Sequence, residues 1–124
     1  MTIKLKEILN IYNATRLIIN DSTSKVDSLI KFKLLGIMKM CEGHAQNYEI
    51  IRNEKIKEYG KENEEGVVSI SPKDIEAVKK FNEDMNKLTN EDINIDIVKF
   101  KASDIFDKGI LAEYLVGLYP IIEE

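Results

Sequence analysis

Residues 25–60 read KVDSLIKFKLLGIMKMCEGHAQNYEIIRNEKIKEYG, and this stretch decides the fold. Ile30, Leu34, Ile37, Cys41, His44 or Ala45, Tyr48, Ile51 and Lys55 follow one another at spacings of four and three. That is the period of one long helix over residues 25–59 with a heptad-like seam, ended by a lysine where an apolar residue is expected. Lys55 and Lys57 fall in the last turns, where the carbonyl end favours cations. Gly60 suits a left-handed residue just past the helix end. A helix of this length spans roughly 50 Å. A folded chain of 124 residues is only about 35 Å across. Either the helix breaks, at Gly36 or Gly43, or it protrudes and pairs with a second copy. The protruding, paired helix is the expectation.

Working outward, residues 4–20 carry Leu5, Ile8, Leu9, Tyr12 and Ile19 at helical spacing, with Ile11, Leu17 and Ile18 widening the apolar face. The helix they predict is covered on two sides and exposes a strip of Asn10, Asn13, Arg16 and Asn20. Asn20–Ser24 reads as a turn, with Ser22 or Ser24 capping the long helix. Beyond Gly60, residues 61–66 are a polar loop and Val67–Ile70 a short β-prone run. Ser71-Pro72-Lys73-Asp74 predicts a helix start with a serine cap, and Ile75, Val78, Phe81, Met85 and Leu88 give that helix one apolar face to about Thr89. Ile93, Ile95 and Ile97 alternate with Asn94 and Asp96 as in a half-buried strand. Val98 and Phe100 break that phase, which predicts a bulge or burial on both faces. Ser103 reads as the cap of a short helix over Asp104 to Lys108 that Gly109 stops, and Ile110 to Leu118 as another turn or two before Pro120. The fold class that follows is mainly α with a small β element, a single domain over 1–124, with the long helix in a helical bundle or coiled-coil-like oligomer.

Composition narrows the function classes. Hydrophobic residues are 44% and charged residues 32%, enough for one modest core. The net charge of −4 argues against nonspecific nucleic-acid binding, which counterion release drives through excess cations. Cys41 and His44 are each the only residue of their type, so neither an internal disulfide nor a His/Cys zinc site within one chain is expected. No apolar run approaches the ~18 residues of a membrane span, and the first residues lack a signal-peptide core. No phosphate-binding loop, dinucleotide glycine fingerprint, zinc helix motif or nucleophile elbow is present. Neither a catalytic residue, a metal nor a cofactor is expected.

Tyr48–Gly60, Phe81–Leu88, Ile93–Ile97 and the closing Leu118–Glu124 occur in an order that resembles a family of small tailed-phage proteins of unassigned function. The resemblance covers most of the chain. It implies a phage origin and action in the bacterial host cytoplasm. The chain departs from the family pattern at Gly36–His44, where Met38, Met40 and Cys41 replace a more charged helix.

The candidate ligand residues are Arg52, Tyr48, Tyr59, Asn53, Arg16 and His44. Arg16 and Arg52 are the only arginines in a lysine-rich chain, and a planar guanidinium grips phosphate in two places. Arg52 with Asn53 and Tyr59 can hold a phosphate and stack on a base; its structural alternative is an ion pair with Glu49 or with another chain. His44 lies beside Cys41 on the seam, but a Cys-His nucleophile also needs an oxyanion hole; packing or an interface suits His44 better. The acidic pairs Glu64-Glu65, Glu83-Asp84, Glu91-Asp92 and Glu123-Glu124 lack the spaced ligands of a calcium loop and read as solvated faces. Together with the resemblance, these residues raise the expectation of a non-catalytic, homo-oligomeric antagonist of host defence. Such a protein binds a small nucleotide signal or else a host defence protein. The other expectation is a virion-assembly or scaffold-type protein.

Overall fold

Asp27, not a serine, starts the long helix. In the computed structural model, which describes residues 1–23 and 25–123, its carboxylate accepts a hydrogen bond from the Ile30 amide at 3.2 Å. Helix α2 therefore runs Ser28–Tyr59, three residues shorter than the periodicity predicts, because Lys25–Asp27 is held instead by the C-terminal part of the chain. The Asp27 amide donates to the Lys108 carbonyl at 3.1 Å. Gly109, at φ +87°, lies so close to Lys25 that no side chain fits there. Of the two serines considered as caps, Ser22 does not cap α2, and Ser24 lies outside the described residues, as does Glu124 of the C-terminal motif.

Helix α2 does not break. Its 32 residues run through Gly36 and Gly43 over roughly 48 Å. The seam resolves in favour of Ala45 over His44: Ile30, Leu34, Ile37, Cys41 and Ala45 are buried, whereas Tyr48 is half-buried and Ile51 exposed. What covers the seam is the chain's own α1 (Leu5–Asn20), so the seam itself is not the surface on which a second copy packs.

Helix α1 inserts Ile8, Ile11 and Ile18 into the core against Leu34 and Cys41 of α2. Buried Thr15 is satisfied within its own helix, its hydroxyl donating to the Ile11 and Tyr12 carbonyls at 2.9 Å. The remaining core comes from the C-terminal quarter. Helix α4 (Ala102–Ile105) supplies Ile105, α5 (Ala112–Leu118) supplies Leu115 and Leu118, and the 3-10 turn Tyr119–Ile121 supplies Ile121.

Among the described residues there are three two-stranded ladders, two of which hold the N- and C-terminal strands against residues 92–101. Strand β1 (Thr2–Lys4) pairs antiparallel with β4 (Asp92–Asn94), Ile3 opposite Ile93. Strands β2 (Lys61–Glu62) and β3 (Val68–Ser69) form a hairpin, and β5 (Phe100–Lys101) pairs in parallel with β6 (Ile122–Glu123). The isoleucine alternation holds, with Ile95 and Ile97 buried between exposed neighbours, although the ladder itself ends at Asn94. Val98 and Lys99 both face solvent and burial resumes at Phe100, so the phase slips by one residue and Val98 is not buried as burial on both faces required.

The far end of α2 is an arm. It packs on α3 (Ile75–Thr89) and on β3, with Met85 the buried residue of α3. Asp74 caps α3, accepting from the Ala77 amide at 3.2 Å; Ser71, expected as the cap, accepts from Lys73 in the preceding turn. Gly60 is not left-handed. It is extended at φ −91°, and it is glycine because the Ile56 and Ser69 carbonyls crowd the space a Cβ needs.

Candidate groove between the first two helices

Helices α1 and α2 bury facing stripes and diverge above them, leaving an open groove of about 830 Å³. One wall carries Lys6, Leu9, Asn10, Tyr12, Asn13 and Arg16 of α1, and the other Ala45, Gln46, Tyr48, Glu49 and Ile50 of α2. Asn10, Asn13 and Arg16 of the polar strip seen in the sequence lie on the α1 wall, and Asn20 does not; with them stand Leu9 and Tyr12 from the edge of the apolar face. Residues three and four apart on a helix are neighbours. Arg16 accordingly lies over the Tyr12 ring, its guanidinium carbon 5.8 Å from the ring centre. At that distance the ring attracts the cation, and among the described residues Arg16 forms no ion pair with a carboxylate. Lys6 is ten residues from Arg16, so the two cations stand roughly 15 Å apart along the axis. Three carboxamides, two tyrosines and an apolar floor lie between and opposite them. The groove can offer charge at two points, amide hydrogen bonds and flat ring surfaces, with Glu49 as a countercharge.

Of the six candidate residues, this groove unites Arg16 and Tyr48. Arg52 lies elsewhere, in a smaller cleft of about 480 Å³ with Ile56, Val68, Ile70, Pro72 and Phe81. Among the described residues it pairs with no carboxylate, so the ion pair with Glu49 does not form. Asn53 is exposed on the arm, and His44 is half-buried on α2 and lines neither cleft. Lys6, Tyr12 and Gln46 were not singled out by sequence reasoning. For Tyr12 a signal existed, its i,i+4 relation to Arg16; Lys6 and Gln46 needed the pairing of the two helices.

Tyr59 belongs to a different cluster. Its hydroxyl donates to Asp84 of α3 at 2.5 Å, and Lys55 reaches both Glu58 at 3.0 Å and Asp84 at 3.4 Å. The Tyr59 hydrogen bond, reinforced by Lys55, holds the Asp84 carboxyl below its ordinary range, and the same bond raises the Tyr59 phenol. This cluster pins α2 to α3, which engages Tyr59 structurally.

Cys41 is fully buried, and burial pushes its thiol up to about 11, far from a reactive thiolate. Among the described residues, no three His, Cys, Asp or Glu side chains gather as a metal site requires, and no helix is long and apolar enough to cross a membrane. No family model, curated protein or solved structure matches the chain.

Proposed function

We propose that this protein acts by binding a small nucleotide in the α1–α2 groove, as a non-catalytic phage accessory protein that antagonises host defence. The observation that carries the reading is the Arg16–Tyr12 stack facing Tyr48, with Lys6 further along the same wall. Arginine and lysine answer phosphate, tyrosine faces answer a base, and Asn10, Asn13 and Gln46 answer its polar edge. Two cations on one wall of the groove, at its two ends, supply local positive charge in a chain of net charge −4. The resemblance to small tailed-phage proteins supplies the context: a nucleotide signal of bacterial immunity, removed from the host cytoplasm by sequestration.

The test is thermal melting of the protein with cyclic and ADP-ribose-type nucleotides. A ligand at a hundredfold its Kd stabilises by about 2.7 kcal/mol. In a chain of this size that is a rise in Tm of roughly 10 °C. Arg16→Ala and Tyr48→Ala abolish the rise, and Arg52→Ala, in the other cleft, leaves it intact. No rise with any nucleotide rejects the reading; protection of phage in host cells despite that result points to a host defence protein as the target.

A second reading, a virion-assembly protein, is favoured by one feature, the exposed apolar side of α2 at Leu29, Phe32 and Ile50. Recovery of capsid or tail proteins with it from infected cells supports that reading over the first.

A further inference from the structure

The buried stripe of α2 is on one side, and the opposite side is also apolar. At ~100° per residue, Leu29, Phe32, Gly36, Met40, Gly43 and Ile50 fall within about 80° of each other, away from Ile30, Leu34 and Cys41. Phe32 is 74% exposed, Leu29 61%, Ile50 56%, Met40 41% and Ile51 36%. Nothing lies within 4 Å of a Cβ at Gly36 or Gly43, so the backbone is bare at two points one heptad apart. Taking about 200 Å² for each large side chain, this face offers on the order of 500 Å² of apolar surface per copy. Two such faces together approach the roughly 1,000 Å² at which a specific interface begins.

We infer that this face is the contact between two copies of the chain, α2 against α2, running antiparallel about a two-fold near Gly43. Charge fixes the direction. Residues 28–40 carry Lys31, Lys33 and Lys39 and no acid, whereas Glu42, Glu49, Glu54 and Glu58 all lie in residues 41–59. That second half also carries Arg52, Lys55 and Lys57, so it is acidic by one charge against three positive charges in residues 28–40; Lys55 is already tied to Glu58 and Asp84. Antiparallel pairing brings the lysine half to the acidic half and sets Lys33 at the level of the partner's Glu54. Parallel pairing sets Lys33 and Lys39 against their own copies. Size agrees with charge, since the antiparallel register sets bare Gly36 at the level of the partner's Ile50 and bare Gly43 against the partner's Gly43. Small residues at such positions let two helix backbones approach closely. The same register carries the partner's Lys39 to the level of Gln46, at the mouth of the α1–α2 groove. Ile50 belongs to both surfaces, forming the rim of the groove as well as the edge of this face.

Sedimentation of the full chain from a few micromolar to about 0.5 mM tests it. The mass is expected to rise with concentration from 14.2 kDa to twice that value. Phe32→Glu combined with Met40→Glu is expected to hold it at the single-chain mass with unchanged circular dichroism, because both side chains are exposed in one copy. For direction, Gly43→Cys is expected to form a disulfide between copies on mild oxidation. Leu29→Cys is not, its two copies standing about 42 Å apart in the antiparallel pair. A single-chain mass at every concentration overturns the inference, as does a dimer indifferent to the double substitution. Cross-linking of Leu29→Cys as efficient as that of Gly43→Cys overturns the antiparallel arrangement.

Discussion

Replacing Gly117 by alanine separates close helix packing from helix propensity, because Gly36 provides the opposite case in the same molecule. Both glycines lie within helices, where alanine is intrinsically better by about 1 kcal/mol. At Gly36 nothing lies within 4 Å of the added methyl, so the gain is realised. At Gly117 the methyl arrives 2.7 Å from the Ala14 Cβ and 3.1 Å from the Asn10 carbonyl of α1. Both obstacles belong to the α1 helix itself, and Ala14 has no rotamer to turn away. Helix α5 must therefore retreat by about 1 Å to reach ordinary contact distance, withdrawing buried Leu115 and Leu118 with it. Overpacking of this kind costs about 1–3 kcal/mol, which outweighs the propensity gain, the more so because Gly117 is next to the last residue of α5. The expected outcome is a loss of roughly 1–2 kcal/mol for Gly117→Ala and a gain of up to about 1 kcal/mol for Gly36→Ala. Urea unfolding at low micromolar concentration, where association contributes least, reads both from the shift in midpoint at constant slope. A Gly117→Ala chain as stable as the wild type refutes the close α1–α5 contact; a Gly36→Ala chain that is destabilised refutes the bare outer face of α2.

Other perturbations have equally definite signs. Gly109→Ala forces a side chain onto φ +87° and into the Lys25 carbonyl, so a loss of more than about 2 kcal/mol is expected in the same urea assay. The Cys41 thiol is raised from 9.0 to about 11, so its contribution to stability is complete below pH 9 and is lost as the pH climbs through 11. A thiol reagent at pH 8 should react with the native chain only as fast as the chain opens, and the Cys41→Ser chain, which has no thiol, should not react at all. For Asp84 the folded carboxyl is depressed, so its contribution is present above the ordinary carboxylate range and is lost as the pH falls below it. Tyr59→Phe removes the principal cause, and stability should then fall less between pH 5 and pH 2 than in the wild type, as followed by circular dichroism.

The α1 and α3 faces were legible in part, because each obeys one period over several turns, but Leu17 at 50% and Ile75 at 78% exposed fall outside the buried stripes; of the isoleucine alternation only Ile93 lies in a strand, with Ile95 and Ile97 buried beyond its end. The long helix was legible in its length but not in its partner. Spacing marks which residues of α2 are buried, and it is silent on whether α1 of the same chain or α2 of another buries them. Caps were misread for a local reason. Ser71 and Asp74 both fit the start of α3, and the aspartate three residues on accepts the helix amide while the serine closes the turn before it. Gly60 illustrates the same limit, since a glycine after a helix signals a left-handed turn and a crowded extended backbone equally well. Within the candidate site, Arg16 and Tyr48 were visible as a scarce arginine and a seam tyrosine. Their convergence with Lys6 and Gln46 depends on the α1–α2 contact, which joins residues some thirty to forty positions apart.

That contact also decides which candidate residues are placed to hold a ligand. The groove stands directly on the buried stripes of α1 and α2, and Ile8, Ile11 and Cys41 beneath it are wholly excluded from solvent. Side chains mounted on such a base hold their spacing without a partner, and a ligand entering there spends little of its binding energy on ordering them. Tyr59 lies eleven residues beyond Tyr48, roughly 16 Å along α2. There the helix rests on α3, whose buried contribution is Met85, and on the Lys55–Asp84–Tyr59 cluster. A region with so small a core opens locally more readily than the body of the molecule. Rigidity therefore favours the groove over the Arg52 cleft, although the two arginines are indistinguishable in the sequence. It also assigns the arm a different part, in which the length of α2 serves to extend a surface beyond the core.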